Sequence, residues 1–207
     1  MGNFWGGLTN LGDSAVLLPS VLLVALWLVI PATTRRLSLV WLFVVAGTGI
    51  VVAITKLLYM GWHIGIPGMN FIGLSGHTTL SFLVWPVLLP LMLGRTGRAQ
   101  RLAAASGLVL AAGIAISRVE VHAHSVAEVL LGALLGGSAS LTFLSHYRVQ
   151  LRLRIPRLAL VATAAAVISL TYGRIMPTEQ LLHSVARVWT GHERVYTRRD
   201  LNMPVSR

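Results

Sequence analysis

Long apolar runs separated by short polar stretches make up most of the chain as far as Ile175. An α-helix needs about 20 residues to cross the hydrocarbon core of a bilayer, and these runs are close to that length. Backbone groups in lipid must be hydrogen-bonded within their own segment, so runs of this kind predict membrane-spanning α-helices. The predicted spans are Ala15–Ile30, Leu37–Thr55, His77–Leu93, Leu102–Ser117, His124–His146 and Leu158–Ile175.

The six predicted spans form one all-α, polytopic membrane domain over residues 1–175, followed by a tail over residues 176–207. Small residues in the fourth and fifth spans, such as Gly132 and Gly136, predict close helix packing. In the tail, one helical face carries apolar side chains, namely Leu181, Leu182, Val185, Val188 and Trp189. Two interpretations of the tail are open, a short interfacial helix and a frayed polar segment.

The overall composition fits an integral membrane protein and not a soluble domain, with 55% hydrophobic residues, 11% charged residues and a mean hydropathy of +0.75. The chain has no cysteine, which excludes disulfides, thiolate metal sites and cysteine nucleophiles. The first thirteen residues contain no lysine or arginine, so we expect the first apolar run to be a retained helix and not a signal peptide.

The net charge of +11 is distributed along the chain in the way that orients membrane proteins, so no nucleic-acid partner is predicted. The connections after the first, third and fifth spans carry Arg35, Arg36, Arg95, Arg98, Arg101, Arg148, Arg152, Arg154 and Arg157. The positive-inside rule places these connections in the cytoplasm. The tail arginines oppose this orientation, but most lie far from the last span. We therefore expect a multi-pass protein of a bacterial inner membrane whose other connections face the periplasm or cell exterior.

The first group of candidate site residues lies around the connection between the fourth and fifth spans. His124 and Glu128 are four residues apart, so they share a helix face and their side chains can meet. A carboxylate beside an imidazole fixes its tautomer and leaves the other nitrogen free to attack. Arg118 adds a planar guanidinium that suits phosphate oxygens, next to Ser117. The pattern favours a nucleophilic histidine at a phosphate site.

A second group combines Ser75-Gly76-His77, at the start of the third span, with Lys56, at the end of the second. Gly76 permits close approach of an anion, and the N–H groups at a helix start can bind phosphate, with Ser75 adding a hydroxyl. His77 is placed to protonate a leaving alkoxide. Lys56 is the only lysine in the chain, which favours a specific role in binding over simple membrane anchoring.

The order Lys56, Ser75-Gly76-His77 and Ser117-Arg118-x5-His124-x3-Glu128 resembles the three-part signature of the type 2 phosphatidic acid phosphatase (PAP2) superfamily, in its bacterial membrane lipid phosphatase branch. The resemblance covers about Leu37 to His146 and implies a PAP2-like bundle of six membrane helices. It also implies that His124 attacks phosphorus and forms a phosphohistidine while Glu128 orients it. By the same resemblance, His77 acts as acid and then base, and the phosphoryl oxygens are bound by Lys56, Ser75, Gly76 and Arg118. No cofactor is implied.

The chain departs from the family pattern in each of the three motifs. Where its first motif has an arginine followed by proline, this chain has His63 and Ile64. Leu74 stands in place of the proline that usually opens the second motif, and Glu128 in place of the final aspartate. The missing arginine weakens phosphate binding unless His63 or another cation compensates. A glutamate, one methylene longer than aspartate, still reaches an imidazole one helical turn away.

The predicted partners are the lipid bilayer and a membrane lipid phosphate or diphosphate. Substrates that fit the resemblance are undecaprenyl diphosphate, lipid A, phosphatidic acid and phosphatidylglycerol phosphate. The final acceptor of the phosphoryl group is open between water, as in a phosphatase, and a second lipid, as in a phosphotransferase.

The same residues are compatible with other kinds of site. His122 with His124 and Glu128 could bind a metal ion, but the spacing lacks an HExxH pattern and nearby acidic residues are few, so no metal is predicted. Gly73-Leu74-Ser75-Gly76 resembles the Gly-x-Ser-Gly pattern of rhomboid proteases, but a serine–histidine dyad has no use for Lys56 and Arg118. A third alternative is a PAP2-like protein that binds or transports lipid without catalysis.

Overall fold

A computed structural model describes residues 2–94, 96–147, 155–191 and 194–201. Within these ranges the chain is all α-helical and contains no strand, as the apolar runs predict. The α-helices are α1 (Gly2–Asn10), α2 (Ser14–Val29), α3 (Arg35–Trp62), α4 (Gly76–Leu93), α5 (Gly97–Glu120), α6 (Val126–Tyr147), α7 (Arg157–Thr171) and α8 (Thr178–Thr190). Two short 3₁₀ turns lie at Pro67–Met69 and Arg198–Asp200.

Each of the six predicted spans corresponds to one helix, from α2 to α7. By length and composition, five helical segments of the described chain are able to cross a membrane. These are Phe4–Val29, which joins α1 to α2, and the helices α3, α4, α5 and α6. Helix α7 is apolar but has only 15 residues. The polytopic, all-α membrane architecture is therefore confirmed, and the sixth crossing stays a prediction.

Helix α3 is longer than predicted, and this changes the setting of Lys56. The helix continues past Thr55 to Trp62 and ends where His63 adopts a left-handed conformation with φ of 57°. The added turns carry Tyr59 and Met60, which are buried under the C-terminal tail. Lys56 therefore lies inside the helix and not at its end.

Other helix boundaries also differ from the prediction, most of all in α5, which runs from Gly97 to Glu120 instead of from Leu102 to Ser117. Helix α7 stops at Thr171 instead of Ile175, and Gly173 follows in a left-handed turn with φ of 77°. Helix α6 begins at Val126 and not at His124. The backbone N–H groups of Ala123 and His124 instead donate to the carbonyl of Arg118, so His124 is held in the turn that joins α5 to α6.

Helix α4 lies at the centre of the bundle, with α5 and α6 packed closely against it. A side chain at Gly136 would overlap the backbone carbonyl of Thr79, and one at Gly132 would come within 3.0 Å of the Ser75 carbonyl. Gly107 of α5 is equally close to the backbone of Trp85. The close packing predicted from the small residues is confirmed. It brings the start of α6 against the start of α4.

The tail contains a helix, α8, so the interpretation as a frayed segment is wrong for Thr178–Thr190. Ala186 and Leu182 of α8 pack against Leu57 and Met60 of α3, together with Val195. The side chains of Val188 and Trp189 are 86% and 67% exposed. The exposed apolar residues suit contact with a membrane surface, and the interfacial location stays a prediction.

Candidate active site

The predicted site residues converge at one end of the helix bundle. Lys56 lies near the end of α3, Ser75 and His77 at the start of α4, Arg118 near the end of α5, and His124 before α6. Neighbouring helices run in opposite directions, so the end of one lies beside the start of the next. Residues far apart in sequence thereby share one polar region at the edge of an apolar bundle.

His124 and Glu128 form the hydrogen-bonded pair that their spacing predicts. Nδ1 of His124 lies 2.7 Å from Oε2 of Glu128, whose side chain is fully buried. An ionised carboxylate can only accept, so Nδ1 donates and a neutral ring carries its lone pair on Nε2. Within the described ranges no hydrogen-bond partner is found for Nε2. The pair therefore presents a nucleophilic nitrogen held in one tautomer.

The carboxylate of Glu128 is held from several sides. Oε1 accepts a hydrogen bond of 2.8 Å from the Ile72 backbone N–H. Besides His124, Oε2 accepts from the Ser125 backbone N–H at 3.2 Å and from Nη2 of Arg198 at 2.6 Å. A buried carboxylate needs such donors to remain charged. These contacts fix both the position and the orientation of the side chain that orients His124.

A cavity of about 410 Å³ lies beside this pair, and we call it the central cavity. Its walls include Lys56, Arg118, His124 and Arg198, together with Glu179 and His183 of α8. Nη1 of Arg118 donates to Thr9 Oγ1 at 3.1 Å, while its buried Nε has no hydrogen-bond partner among the residues described. A buried donor without a partner indicates a place for an acceptor. The central cavity is therefore suited to an anion.

The backbone of α3 at Lys56 lies unusually close to the backbone at Gly73, in the segment before α4. Gly73 has a φ of 137°, and a Cβ built there would lie 2.8 Å from Cγ of Lys56 and 3.0 Å from its backbone N. Only glycine fits both the conformation and the space. This glycine lets the segment before α4 approach α3, which brings Lys56 and His124 to the same cavity.

Burial lowers the pKa of His124, and the positive charges of Lys56 and Arg118 lower it further. The hydrogen bond and negative charge of Glu128 act in the opposite direction but do not outweigh them. His124 therefore stays neutral at neutral pH. A neutral imidazole is the form that can attack phosphorus.

His77 pairs with a residue that the motifs do not identify, Asp13. Nε2 of His77 lies 3.2 Å from Oδ2 of Asp13, which also caps α2 by accepting from the Ala15 N–H at 2.8 Å. Both line a second cavity, of about 810 Å³, which we call the N-terminal cavity. Arg118 lines this cavity as well as the central one, so the two adjoin at its side chain.

Ser75 and Gly76 occupy the N-terminus of α4. Ser75 is fully buried and caps the helix, its Oγ accepting from the Thr78 backbone N–H at 3.4 Å. The same Oγ also accepts from the Thr78 hydroxyl at 3.0 Å. The backbone N–H of Ser75 donates to the Glu128 carbonyl at 3.2 Å. These contacts tie the second motif to the third, and a contact of Ser75 with phosphate stays a prediction.

His63 does not line the central cavity and instead contacts the tail. Its Nε2 donates to the Asp200 carbonyl at 2.9 Å, and its ring stacks on Tyr196 at 4.6 Å. Arg198 of the same segment does line the cavity, beside Tyr196 and Thr197. Neither Asp13 nor Arg198 belongs to a motif. The signal that points to Asp13 is scarcity, since the chain has only six acidic residues.

An apolar groove of about 450 Å³ leads away from Lys56. Its walls come from α2, α3, α4 and α8 and include Leu18, Val45, Gly49, Ala53, Leu181 and Val185. Lys56 lines both this groove and the central cavity. A ligand with a charged head and an apolar tail could therefore occupy both at once.

His122 does not join His124 and Glu128 in a group that could hold a metal ion. In the part of the chain that the structure describes, no three side chains of the ligand types His, Cys, Asp and Glu lie close enough to hold a metal ion. His122 adopts a left-handed conformation with φ of 55° in the turn after α5 and is exposed.

Comparison with known proteins points to one family. The family model of the PAP2 superfamily matches residues 68–154, which contain the second and third motifs. A relative from Klebsiella pneumoniae, described as an uncharacterized 22.5 kDa protein in cps region, is 35% identical over 206 residues. The alignment covers 96% of this chain and 97% of the relative. No solved structure shows significant similarity to the chain.

Proposed function

Because the chain belongs to the PAP2 superfamily, we propose that it is a membrane lipid phosphatase or phosphotransferase that works through a phosphohistidine at His124. Membership alone indicates a phosphatase-type activity. The observation that carries the finer proposal is the His124–Glu128 pair, which directs a neutral Nε2 toward a cavity lined by Lys56 and Arg118. Phosphoryl transfer depends mainly on positioning and on neutralising spread negative charge, and this cavity offers both.

In the first step, the Nε2 lone pair of His124 attacks phosphorus, and the bond between phosphorus and the lipid oxygen breaks. The leaving oxygen takes a proton from protonated His77. Because Nε2 of His77 faces Asp13, a protonated ring has its Nδ1–H free to donate. Asp13 therefore fixes the Nε2 side of the ring and leaves Nδ1 for the proton transfer.

In the second step, water loses a proton to His77 and attacks the phosphohistidine, breaking the P–N bond. Phosphate leaves and His124 returns to its neutral state. A lipid hydroxyl in place of water would make the protein a phosphotransferase. Glu128 stabilises the positive charge that develops on His124 during attack, as a carboxylate does in other histidine-dependent sites.

A lipid substrate is supported by the apolar groove that joins the central cavity at Lys56. The groove would receive the apolar tail, and the cationic side chains would hold the phosphate. The described arginines of the odd-numbered connections, Arg35, Arg36, Arg98, Arg101 and Arg157, lie at the opposite end of the bundle. By the positive-inside rule, this distribution supports a site that faces the outer side of a bacterial inner membrane. On that face, undecaprenyl diphosphate and lipid A rank above phosphatidic acid and phosphatidylglycerol phosphate.

Phosphate release from a panel of lipid phosphates tests the proposal. The purified protein is assayed in detergent against these lipids, with His124→Ala as the control. We expect wild-type protein to release phosphate from at least one lipid and His124→Ala to release none while keeping its melting temperature. Binding of a lipid phosphate by the wild type without release would instead favour the non-catalytic alternative. Equal release by both proteins would contradict the mechanism.

A further inference from the structure

The last described segment of the chain, Val195–Leu201, lies against the site and contributes the positively charged side chain of Arg198 to it. Val195 and Leu201 are buried, while Arg198 lies in the short 3₁₀ turn between them. The guanidinium of Arg198 lines the central cavity, and its side chain is 30% exposed. Arg198 is 70 residues from Glu128 in sequence, so only the fold brings the two together.

The segment is fixed to the end of α3 by specific contacts. Tyr59 donates its hydroxyl to the Thr197 carbonyl at 2.7 Å, and the Tyr196 backbone N–H donates to the Met60 carbonyl at 2.9 Å. His63 donates to the Asp200 carbonyl at 2.9 Å. The extra turns of α3 beyond Thr55 thus supply the surface on which the segment lies.

The turn that presents Arg198 is stabilised from within. The backbone N–H and the hydroxyl of Thr197 both donate to Oδ2 of Asp200 at 2.7 Å, and these hydrogen bonds lower the pKa of Asp200. Arg194 pairs with the other oxygen of Asp200 at 2.7 Å. Asp200 is therefore charged at neutral pH, and Arg198 projects from a fixed backbone.

Arg198 connects two parts of the site through its two terminal nitrogens. Nη1 donates to the backbone and side-chain oxygens of Asn70 at 2.9 and 3.0 Å. Nη2 donates to Oε2 of Glu128 at 2.6 Å, the same oxygen that accepts from His124. A planar guanidinium holding both partners fixes the carboxylate more firmly than a flexible ammonium could.

We propose that Arg198 is a positioning residue of the active site, which holds Glu128 in the orientation that aligns His124 for attack. The inference rests on the proposed function. His63, which stands at the position of the missing arginine, helps to hold the segment in place through its hydrogen bond to the Asp200 carbonyl. The action of Arg198 passes through Glu128, which distinguishes it from a direct phosphate ligand.

The positioning role of Arg198 is tested by measuring the lipid phosphatase kinetics of Arg198→Met. Charge-assisted hydrogen bonds of this kind are worth about 10- to 100-fold in rate. We expect kcat to fall by about that factor with KM little changed, and Arg198→Lys to recover part of the rate. Arg199→Met, an exposed neighbour, is the matched control and should behave as wild type.

A double-mutant cycle with Glu128→Gln separates positioning from a merely structural role. If Arg198 acts through Glu128, adding Arg198→Met to Glu128→Gln should cost little further rate. Independent, multiplicative losses would overturn the inference, as would full activity in Arg198→Met. A rise in KM at constant kcat would make Arg198 a direct substrate ligand and overturn it too. If the wild-type protein itself releases no phosphate, the proposed function is contradicted, and the inference about Arg198 is contradicted with it.

Discussion

At the scale of single residues, the mechanism depends on the negative charge of Glu128 as well as on its position. Glu128→Gln keeps the size of the side chain but removes the charge, so it loses the stabilisation of a positively charged His124. We expect kcat to fall by at least about 100-fold. Glu128→Asp keeps the charge with a shorter reach and should retain a larger share of the rate.

The values of kcat are measured from steady-state phosphate release by wild type, Glu128→Gln and Glu128→Asp. The three proteins are compared in detergent after equal melting temperatures show that they are equally well folded. Equal activity in Glu128→Gln and wild type would make the carboxylate purely structural. The prediction concerns kcat because the charge on His124 develops during attack, after the substrate has bound.

Much of the site can be predicted from short spacings, and the rest depends on tertiary contacts. His124 and Glu128 meet because four residues span one helical turn, which is a local property. Asp13 and Arg198 reach His77 and Glu128 across 64 and 70 residues. No periodicity in the chain encodes such distances, so both residues become visible only once the helices are packed.

At the scale of helices, the apolar groove predicts that activity depends on the length of the substrate's apolar chain. Gly49 of α3 lines the groove, and a Cβ built there meets no other atom within 4 Å, so we expect Gly49→Phe to place its ring in the groove. We expect a strong rise in KM for long-chain lipid phosphates and little change for a short-chain, water-soluble phosphate ester.

Gly47→Phe is the matched control for this experiment. Gly47 lies on the same helix, is exposed and has equally open surroundings, but it does not line the groove. It should leave both substrates unaffected. An equal effect of the two substitutions, or no effect of Gly49→Phe on long-chain substrates, would show that the groove does not hold the tail.

The positions of the helices can be predicted from the apolar runs. Where a helix ends also depends on tertiary contacts with the residues that pack over its end. Helices α2 to α7 lie where the runs predict them. The overrun of α3 beyond Thr55 is stabilised by the burial of Tyr59 and Met60 under the tail, which a local pattern does not reveal. Helix α1, rich in glycine and short, has no strong apolar run and is not predicted.

At the scale of the whole molecule, the distribution of arginine predicts which side of the membrane the site faces. After the first, third and fifth predicted spans, the described arginines lie at the end away from His124, namely Arg35, Arg36, Arg98, Arg101 and Arg157. Arg95, Arg148, Arg152 and Arg154 lie outside the described residues. The chain has no cysteine, so single cysteines can report exposure to each side.

We expect Gly68→Cys, near the site, to react with a membrane-impermeant maleimide in intact spheroplasts. Gly97→Cys, at the other end of the bundle, should react only after permeabilisation. Gly68 is exposed and a side chain there meets no other atom within 4 Å, so the substitution should be tolerated. The reverse labelling would place the site in the cytoplasm and favour phosphatidic acid or phosphatidylglycerol phosphate as substrate.

The most direct test of the whole account is the trapping of the phosphoryl group on His124. His77→Ala is mixed with a radiolabelled phosphate ester whose aryl leaving group departs without a proton, so the intermediate forms but its hydrolysis is slow. The account predicts acid-labile, base-stable label on the protein, more than on wild type, and none when His124→Ala is added. Label that persists without His124, or the absence of label from a protein that releases phosphate, would contradict it.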